Sequence, residues 1–390
     1  MPPILEKSAS LLYRQRLWIA LIIFSSYFIV LSLRVALFHR QPDFTTYYYA
    51  CKAHELGSNP YDIATLSSLA GTEITRPFLY PPVSLHLLKL FSLFEYPIAY
   101  QIFLFLKLAV MCGLIGIWWK YFCKTDTERG LMLILAAFAF DHAFHRDLNA
   151  GNITVFEQLL LWIGLVALMK SRLVVCAIFL AVASLMKPLN LVLLIPLTIL
   201  PDRQWWKIPV MVIGLSVFLH GLTAVLEPVT FARFLDHASL TDERGSMNPS
   251  SFALSRDIMD PAMGALNMPG TPASLVLYGI VVVAVLVLFF HARKKLPATA
   301  ALMICLIAFA LISPRFKDYS YALLILPAVL LMTRGRLPIW IIVLTFLIVC
   351  THVMAYQSLL AAVWLFGTYL YVSRREDGDR QRWAPVPVDA

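Results

Sequence analysis

The apolar positions of this chain run in long uninterrupted blocks rather than in the one-sided stripes of soluble helices. The clearest blocks are Leu17 to Leu37, Ile208 to Leu226, Ala273 to Phe290, and Leu337 to Ser373, the last holding only His352 as a potentially charged member. A helix of about 20 apolar residues crosses the hydrocarbon core of a bilayer, so the last block predicts two helices and each of the others one. In the middle of the chain Pro97, Pro188 and the polar run Asp141 to Asn152 interrupt shorter apolar segments. Short or broken helices are expected there.

Composition turns this pattern into a fold class. The chain has 390 residues, of which 60% are hydrophobic and 14% charged, and its mean hydropathy is +0.75. One water-soluble core cannot bury so much apolar surface. A dozen spanning helices would use about 240 residues. The expectation is an all-α polytopic membrane protein of about twelve transmembrane helices, with one membrane domain over residues 1–372 and a charged tail over 373–390.

Charge sets the orientation. Lys7, Arg14 and Arg16, then Arg203 and Lys207, Arg293 to Lys295, Arg334 and Arg336, and Arg374 and Arg375 flank apolar blocks and belong on the cytoplasmic side. Both termini are then expected in the cytoplasm, and the two long polar loops, residues 38–78 and 227–272, outside it. Leu17 to Leu37 is too long for a signal-peptide core and should stay as an anchor. The formal charge of +9 is scattered among apolar runs, not gathered into a basic stripe, which argues against a nucleic-acid partner.

Metal and nucleotide chemistry find little support. The six cysteines, Cys51, Cys112, Cys123, Cys176, Cys305 and Cys350, show no metal-ligand spacing and no disulfide framework. His142 and His145 lack a good third ligand. There is no P-loop, no G-x-G-x-x-G and no H-E-x-x-H, and Asp377-Gly378-Asp379, though of D-x-D form, falls in the charged tail. No metal site is expected.

Candidate chemistry gathers on the outer face, in three places. Asp43 follows the first helix closely, before Thr45, Thr46 and the run Tyr47 to Tyr49. A carboxylate there is either a general base for an acceptor hydroxyl or an ordinary helix cap. Gly57-Ser58-Asn59-Pro60-Tyr61 and Tyr80-Pro81-Pro82 predict a turn between two short helices and then the entry to the second span. In the second loop, Asn248-Pro249-Ser250-Ser251 precedes Arg256 and Asp257. The guanidinium of Arg256 suits a phosphate, and equally a surface ion pair with Asp257 or Asp260. The third place is Ser313 to Tyr319, where Arg315, Lys317 and Asp318 form a charged island between apolar helices. Its cations can hold a lipid phosphate or simply snorkel to the interface. Lys187 before Pro188, deep in an apolar region, is a further candidate, and Arg146 with Asn149 and Asn152 another.

Taken in order, Asp43, Gly57 to Tyr61, Tyr80-Pro81-Pro82, Lys187-Pro188, Asn248 through Arg256 and Ser313-Pro314 resemble the landmarks of glycosyltransferase family 87, over roughly residues 17–372. The resemblance implies a GT-C membrane fold and a polyprenyl-phosphate sugar donor, typically of mannose, with a glycan or glycolipid as acceptor. It also implies Asp43 as catalytic base, Lys187, Arg256, Arg315 and Lys317 as candidates for the donor phosphate, and Tyr80, Asn152, Asn248 and Asp318 in support. The chain departs from the pattern at Gly151-Asn152, where the family often has Gly-Gln, at Asn248-Pro249-Ser250, where it has Asn-Gln-Ser, and at Lys317 to Tyr319, where a Trp and a His follow Ser-Pro.

A lipid-phosphate sugar already carries a good leaving group. Such an enzyme needs only to orient the acceptor, remove its proton and stabilise the departing phosphate in one inverting displacement. The sequence assigns no cofactor besides the lipid-linked donor and leaves the need for a divalent ion open, and the expected location is a bacterial inner membrane. The alternative is a transporter or lipid flippase, which would place its polar groups near the bilayer midplane.

Overall fold

The computed structural model of the protein describes residues 3–38, 41–200, 206–239, 243–266, 268–375 and 383. Arg203, Asp377-Gly378-Asp379 and the side chains of Lys7 and Arg14 lie outside the described residues. Helix makes up 81% of the structure, with no strand among the described residues.

The chain opens with α1 (Pro3–Phe38). Two short helices follow, α2 (Pro42–Glu55) and α3 (Ile63–Ala70), joined through a turn at Gly57, whose φ of 70° suits a residue without a side chain. α4 (Pro82–Ser92) and α5 (Tyr96–Tyr121) each carry proline in the first turn, where no backbone N–H is missed. α6 (Asp126–Ala150) starts at a capping box of Thr125 and Glu128. α7 (Thr154–Met169) turns back from it at 117°.

α8 (Leu173–Met186) ends at Lys187, which the ring of Pro188 forces out of the helical region, to φ −138° and ψ 102°. A 3-10 stretch, Pro188–Leu193, then runs into α9 (Leu194–Ile199). After α10 (Lys207–Leu226) come α11 (Pro228–Ser239), α12 (Ser251–Gly264), α13 (Gly270–Ala292) and α14 (Ala298–Ile312). The same proline device recurs at Ser313-Pro314: Ser313 takes ψ 126°, and a 3-10 stretch, Asp318–Leu324, leads into α15 (Ile325–Arg334). α16 (Ile339–Cys350) and α17 (Gln357–Ser373) close the fold.

Packing separates an inner from an outer layer. α14 is apolar all round and buried from Thr299 to Ile312, as the central helix of a bundle must be. α1 lies along α6, α7 against α8, α8 against α10, and α12 against α13. The outer helices expose large apolar side chains, among them Trp18, Ile22 and Val30 on α1, Val217 and Phe218 on α10, and Val276, Ile280 and Val283 on α13. Patches of that extent are a lipid-facing surface.

By length and composition four helices can cross a membrane, Gln15–Phe38, Tyr96–Tyr121, Lys207–Leu226 and Gly270–Ala292, or five if the bent pair α6 and α7 counts as one span. This is fewer than the dozen expected from composition. Lys187-Pro188, Ser313-Pro314 and the turn at residues 351–356 divide the remaining apolar sequence into helices too short to pass singly.

α6 itself bends. Phe140, Asp141 and His142 have φ of 51°, 57° and 55°, a left-handed run that costs non-glycine residues about 1–3 kcal/mol each. Side chains hold it: Arg146 pairs with Asp141, His352 Nδ1 lies 3.2 Å from the same carboxylate, and Tyr27 Oη bonds His142 and His145 at 3.2 and 2.9 Å.

Candidate functional site

The site begins at the turn between α6 and α7. Gly151 closes α6 at φ 69°, and a Cβ there would lie 2.6 Å from Gln41 Cβ. Only glycine therefore lets the start of α2 press against this turn, a contact also held by Gln41 Nε2 donating to Leu148 O at 3.2 Å. The next residue, Asn152, is thereby brought against α2. Its Oδ1 accepts from Thr154 N at 3.1 Å and from Thr154 Oγ1 at 2.8 Å, so its amide nitrogen must face the other way. There Nδ2 meets Asp43 Oδ2 at 2.6 Å, with Tyr47 Oη at 2.9 Å and Tyr80 Oη at 3.1 Å.

Asp43 is 6% exposed and sits in the first turn of α2, where the helix N-terminus favours a negative charge. Its side chain caps no helix. Instead Oδ1 accepts from Arg76 Nη1 at 2.6 Å and Oδ2 from Asn152. Each oxygen keeps a second lone pair, so the carboxylate can take one more donor. Thr46 Oγ1 fixes the Arg76 backbone by bonding its carbonyl at 3.0 Å. Asp43, Thr46 and Tyr47, at helical i, i+3, i+4 spacing, share one face of α2 and line one cavity.

That cavity holds about 460 Å³, within the range of small-molecule sites. Its walls come from α2, the residues before α4, the α6–α7 turn, the two X-Pro breaks, Phe234 of α11 and the segment at Glu243. Lys187 enters from the first break: its Nζ lies 2.8 Å from Glu157 Oε2 and bonds Thr154 Oγ1. A hydrogen-bonded chain thus runs from Lys187 through Thr154 and Asn152 to Asp43. Arg315 and Lys317 enter from the second break, both on the carboxylate of Glu243. Burial, then the neighbouring Tyr80 and Asp43, push the Tyr47 phenol well above its ordinary value, which keeps it a proton-bearing donor.

Of the residues singled out from sequence, Asp43, Tyr80, Asn152, Lys187, Arg315 and Lys317 line the same cavity. Arg256 does not: it lies on α12, with Nη2 3.6 Å from Asp260 Oδ2. Asp318 and Asn248 stand behind the wall. Asp318 accepts from Arg146 Nη1 at 2.8 Å, while Asn248 bonds Phe316 N at 2.9 Å and Glu243 O at 3.0 Å. Among the described residues no group of three or more His, Cys, Asp or Glu is placed to hold a metal ion.

A family model described as glycosyltransferase family 87 matches residues 78–314, more than half of the chain. The chain belongs to glycosyltransferase family 87. It is an integral-membrane glycosyltransferase, and such an enzyme acts on a sugar donor and an acceptor. No curated protein and no solved structure matches it. The match to the family 87 model starts after Asp43 and Arg76 and stops just before Arg315 and Lys317, so the geometry alone speaks for those four.

Sequence reasoning missed Arg76, Glu157 and Glu243, and behind them the pair Lys107 and Asp147. The ammonium of Lys107 lies 2.7 Å from Asp147 Oδ2 and also bonds the Asn152 carbonyl, so it braces the turn that presents Asn152. Lys107 and Glu157 did carry a signal, since each is a charge inside an otherwise apolar helix. Arg76 and Glu243 carried none, as both lie among other polar loop residues.

Proposed function

We propose that the protein transfers a hexose, mannose by the family resemblance, from a polyprenyl-phosphate donor to an acceptor hydroxyl at the extracytoplasmic face of a bacterial inner membrane. The observation that carries this reading is the joint placement of Asp43 and the cations Lys187, Arg315 and Lys317 in one cavity walled by the helix breaks.

Asp43 is the base. The acceptor hydroxyl donates to one of its two remaining lone pairs and attacks the anomeric carbon as the carboxylate takes the proton. The bond from that carbon to the phosphate oxygen breaks, and the electron pair leaves with the lipid phosphate. Inversion follows from a single displacement. Arg315 and Lys317 hold the phosphate and its developing charge, with Lys187 completing the cationic wall. Asn152 and Arg76 hold the carboxylate in place, and the polyprenyl tail lies between apolar helices.

The extracytoplasmic placement draws support from the direction of the chain. The C-terminal end of α1, the α6–α7 turn, Lys187, Glu227 after α10, and Ser313 after α14 all lie at the site end of the bundle. Counting each half-broken segment, Pro188–Ile199 and Asp318–Arg334 included, as one passage gives twelve crossings. Both termini then fall on the side of the flanking Lys and Arg residues.

The test is transfer by purified protein in nanodiscs from radiolabelled polyprenyl-phosphate-mannose to a cell-envelope extract. Transfer should be lost in Asp43→Asn while donor binding persists. Full activity of that variant would refute Asp43 as base. A wild type inert with every lipid-linked sugar, and accessible to cysteine reagents from both sides of the cavity, would return the transporter reading.

A further inference from the structure

Four cations and three carboxylates line the cavity among the described residues, and they are not matched one to one. Arg76 has Asp43 and Lys187 has Glu157, but Arg315 and Lys317 share a single partner, Glu243. The surplus positive charge of the site is therefore located at the second X-Pro break.

The contact has the geometry of anion recognition. Arg315 places Nε at 3.1 Å and Nη2 at 2.6 Å from Glu243 Oε2, while Lys317 Nζ lies 2.9 Å from Oε1. One planar fork and one ammonium grasp the two oxygens of one anion, as they would grasp two oxygens of a phosphate. The partners are held in register by Asn248, which bonds the carbonyl of Glu243 with its amide nitrogen and the amide of Phe316 with its oxygen. Gly245, at φ 66°, makes the turn between Glu243 and Asn248. All three charged side chains are partly exposed to the cavity, at 17–29%. A lipid phosphate entering there meets donors already engaged by a carboxylate of this chain.

We propose that Glu243 is a built-in competitor for the donor phosphate: its carboxylate and the phosphate of the polyprenyl-phosphate sugar hold the Arg315 and Lys317 pair in turn. The inference rests on the proposed function, in that it takes this pair as the phosphate seat. A phosphodiester donor carries one negative charge, equal to the surplus the site presents with Glu243 in place. The monoester left after transfer carries about −1.5 to −2 by analogy with phosphorylated side chains. Glu243 limits how tightly that more highly charged product is retained, and its return to the two cations helps expel it. Removing the carboxylate tightens binding of the product and slows its release.

The experiment uses the full chain in nanodiscs, with thermal melting to confirm that each variant is folded, and measures the Kd of a radiolabelled polyprenyl monophosphate. The matching uncharged polyprenol serves as control. Glu243→Gln should bind the monophosphate at least about tenfold tighter, or roughly 1.4 kcal/mol, with polyprenol binding unchanged. Glu243→Asp, whose shorter arm cannot reach both cations, should tighten it by less and remains informative should the Gln variant not fold. Arg315→Ala and Lys317→Ala should each weaken binding. Unchanged or weaker binding in the Glu243 variants, with Arg315→Ala still weakened, overturns the competitor role and leaves the phosphate seat standing. Binding insensitive to Glu243, Arg315 and Lys317 alike overturns both.

Discussion

Asn152 Nδ2 lies 2.6 Å from Asp43 Oδ2, across 109 residues of sequence, and its orientation is set by Thr154 on the far side of the amide. A hydrogen bond to a charged group is worth about 1.5–3 kcal/mol. Asn152→Ala should therefore lower kcat about 10- to 100-fold and also lower the melting temperature, because it leaves the buried Asp43 carboxylate and the Thr154 N–H short of a partner. Asn152→Asp, which sets a second carboxylate against Asp43, should be worse. Steady-state transfer assays on folded protein check both.

Gly151 carries the close approach of α2 to the α6–α7 turn. Gly151→Ala combines a left-handed backbone with a Cβ 2.6 Å from that of Gln41, so a loss of about 1–3 kcal/mol or more is expected, together with activity. Gly116→Ala is the control: nothing lies within 4 Å of its Cβ, and in mid-helix alanine is favoured. Thermal melts of the two variants should move in opposite directions.

Lys107 and Asp147, at 2% and 4% side-chain exposure, form a buried pair at 2.7 Å. Removing either partner should cost about 3–5 kcal/mol, whereas replacing both with apolar residues should cost much less. Activity should not recover with stability, because the Asn152 carbonyl still lacks its lysine. Melting and transfer measured on Lys107→Met, Asp147→Leu and the double variant separate the two effects.

Among the arginines, Arg315 lines the cavity and Arg256 pairs with Asp260 on α12. Arg256→Ala should change the donor KM by less than about twofold, as for a partly exposed ion pair. Arg315→Ala should raise it about tenfold or more. Donor titrations of the two variants decide which arginine serves the phosphate.

The segment from Glu243 to Asn248 should respond to pH in one direction. Burial alone would raise the Glu243 carboxyl, but Lys317 and Arg315 outweigh it and hold it below the usual glutamate range. A lowered folded value means that the contact stabilises the fold above the unfolded value and is lost as pH falls through the folded one. The protection of residues 243–248 against hydrogen exchange, taken relative to the intrinsic amide rate at each pH, should hold from neutral to mildly acid pH and fall only below the ordinary glutamate range. Loss of protection at mildly acid pH would contradict it.

The apolar blocks determined helices and membrane without reference to the rest of the chain, because in lipid a segment must satisfy its own backbone hydrogen bonds. Lys187-Pro188 and Ser313-Pro314 were legible for an equally local reason, since the proline ring bars the helical conformation to the residue before it. The sequence also shows that Lys107 and Glu157 are charges in apolar helices, and that Asp43 follows the first of them. Only the tertiary structure decided which charges meet. Arg315 finds Glu243 across 72 residues and Lys107 finds Asp147 on another helix, while Arg256 takes Asp260 four residues away. Helix ends are brought together by how the bundle packs, and a pairing energy depends on that distance and burial, neither of which any window of sequence contains.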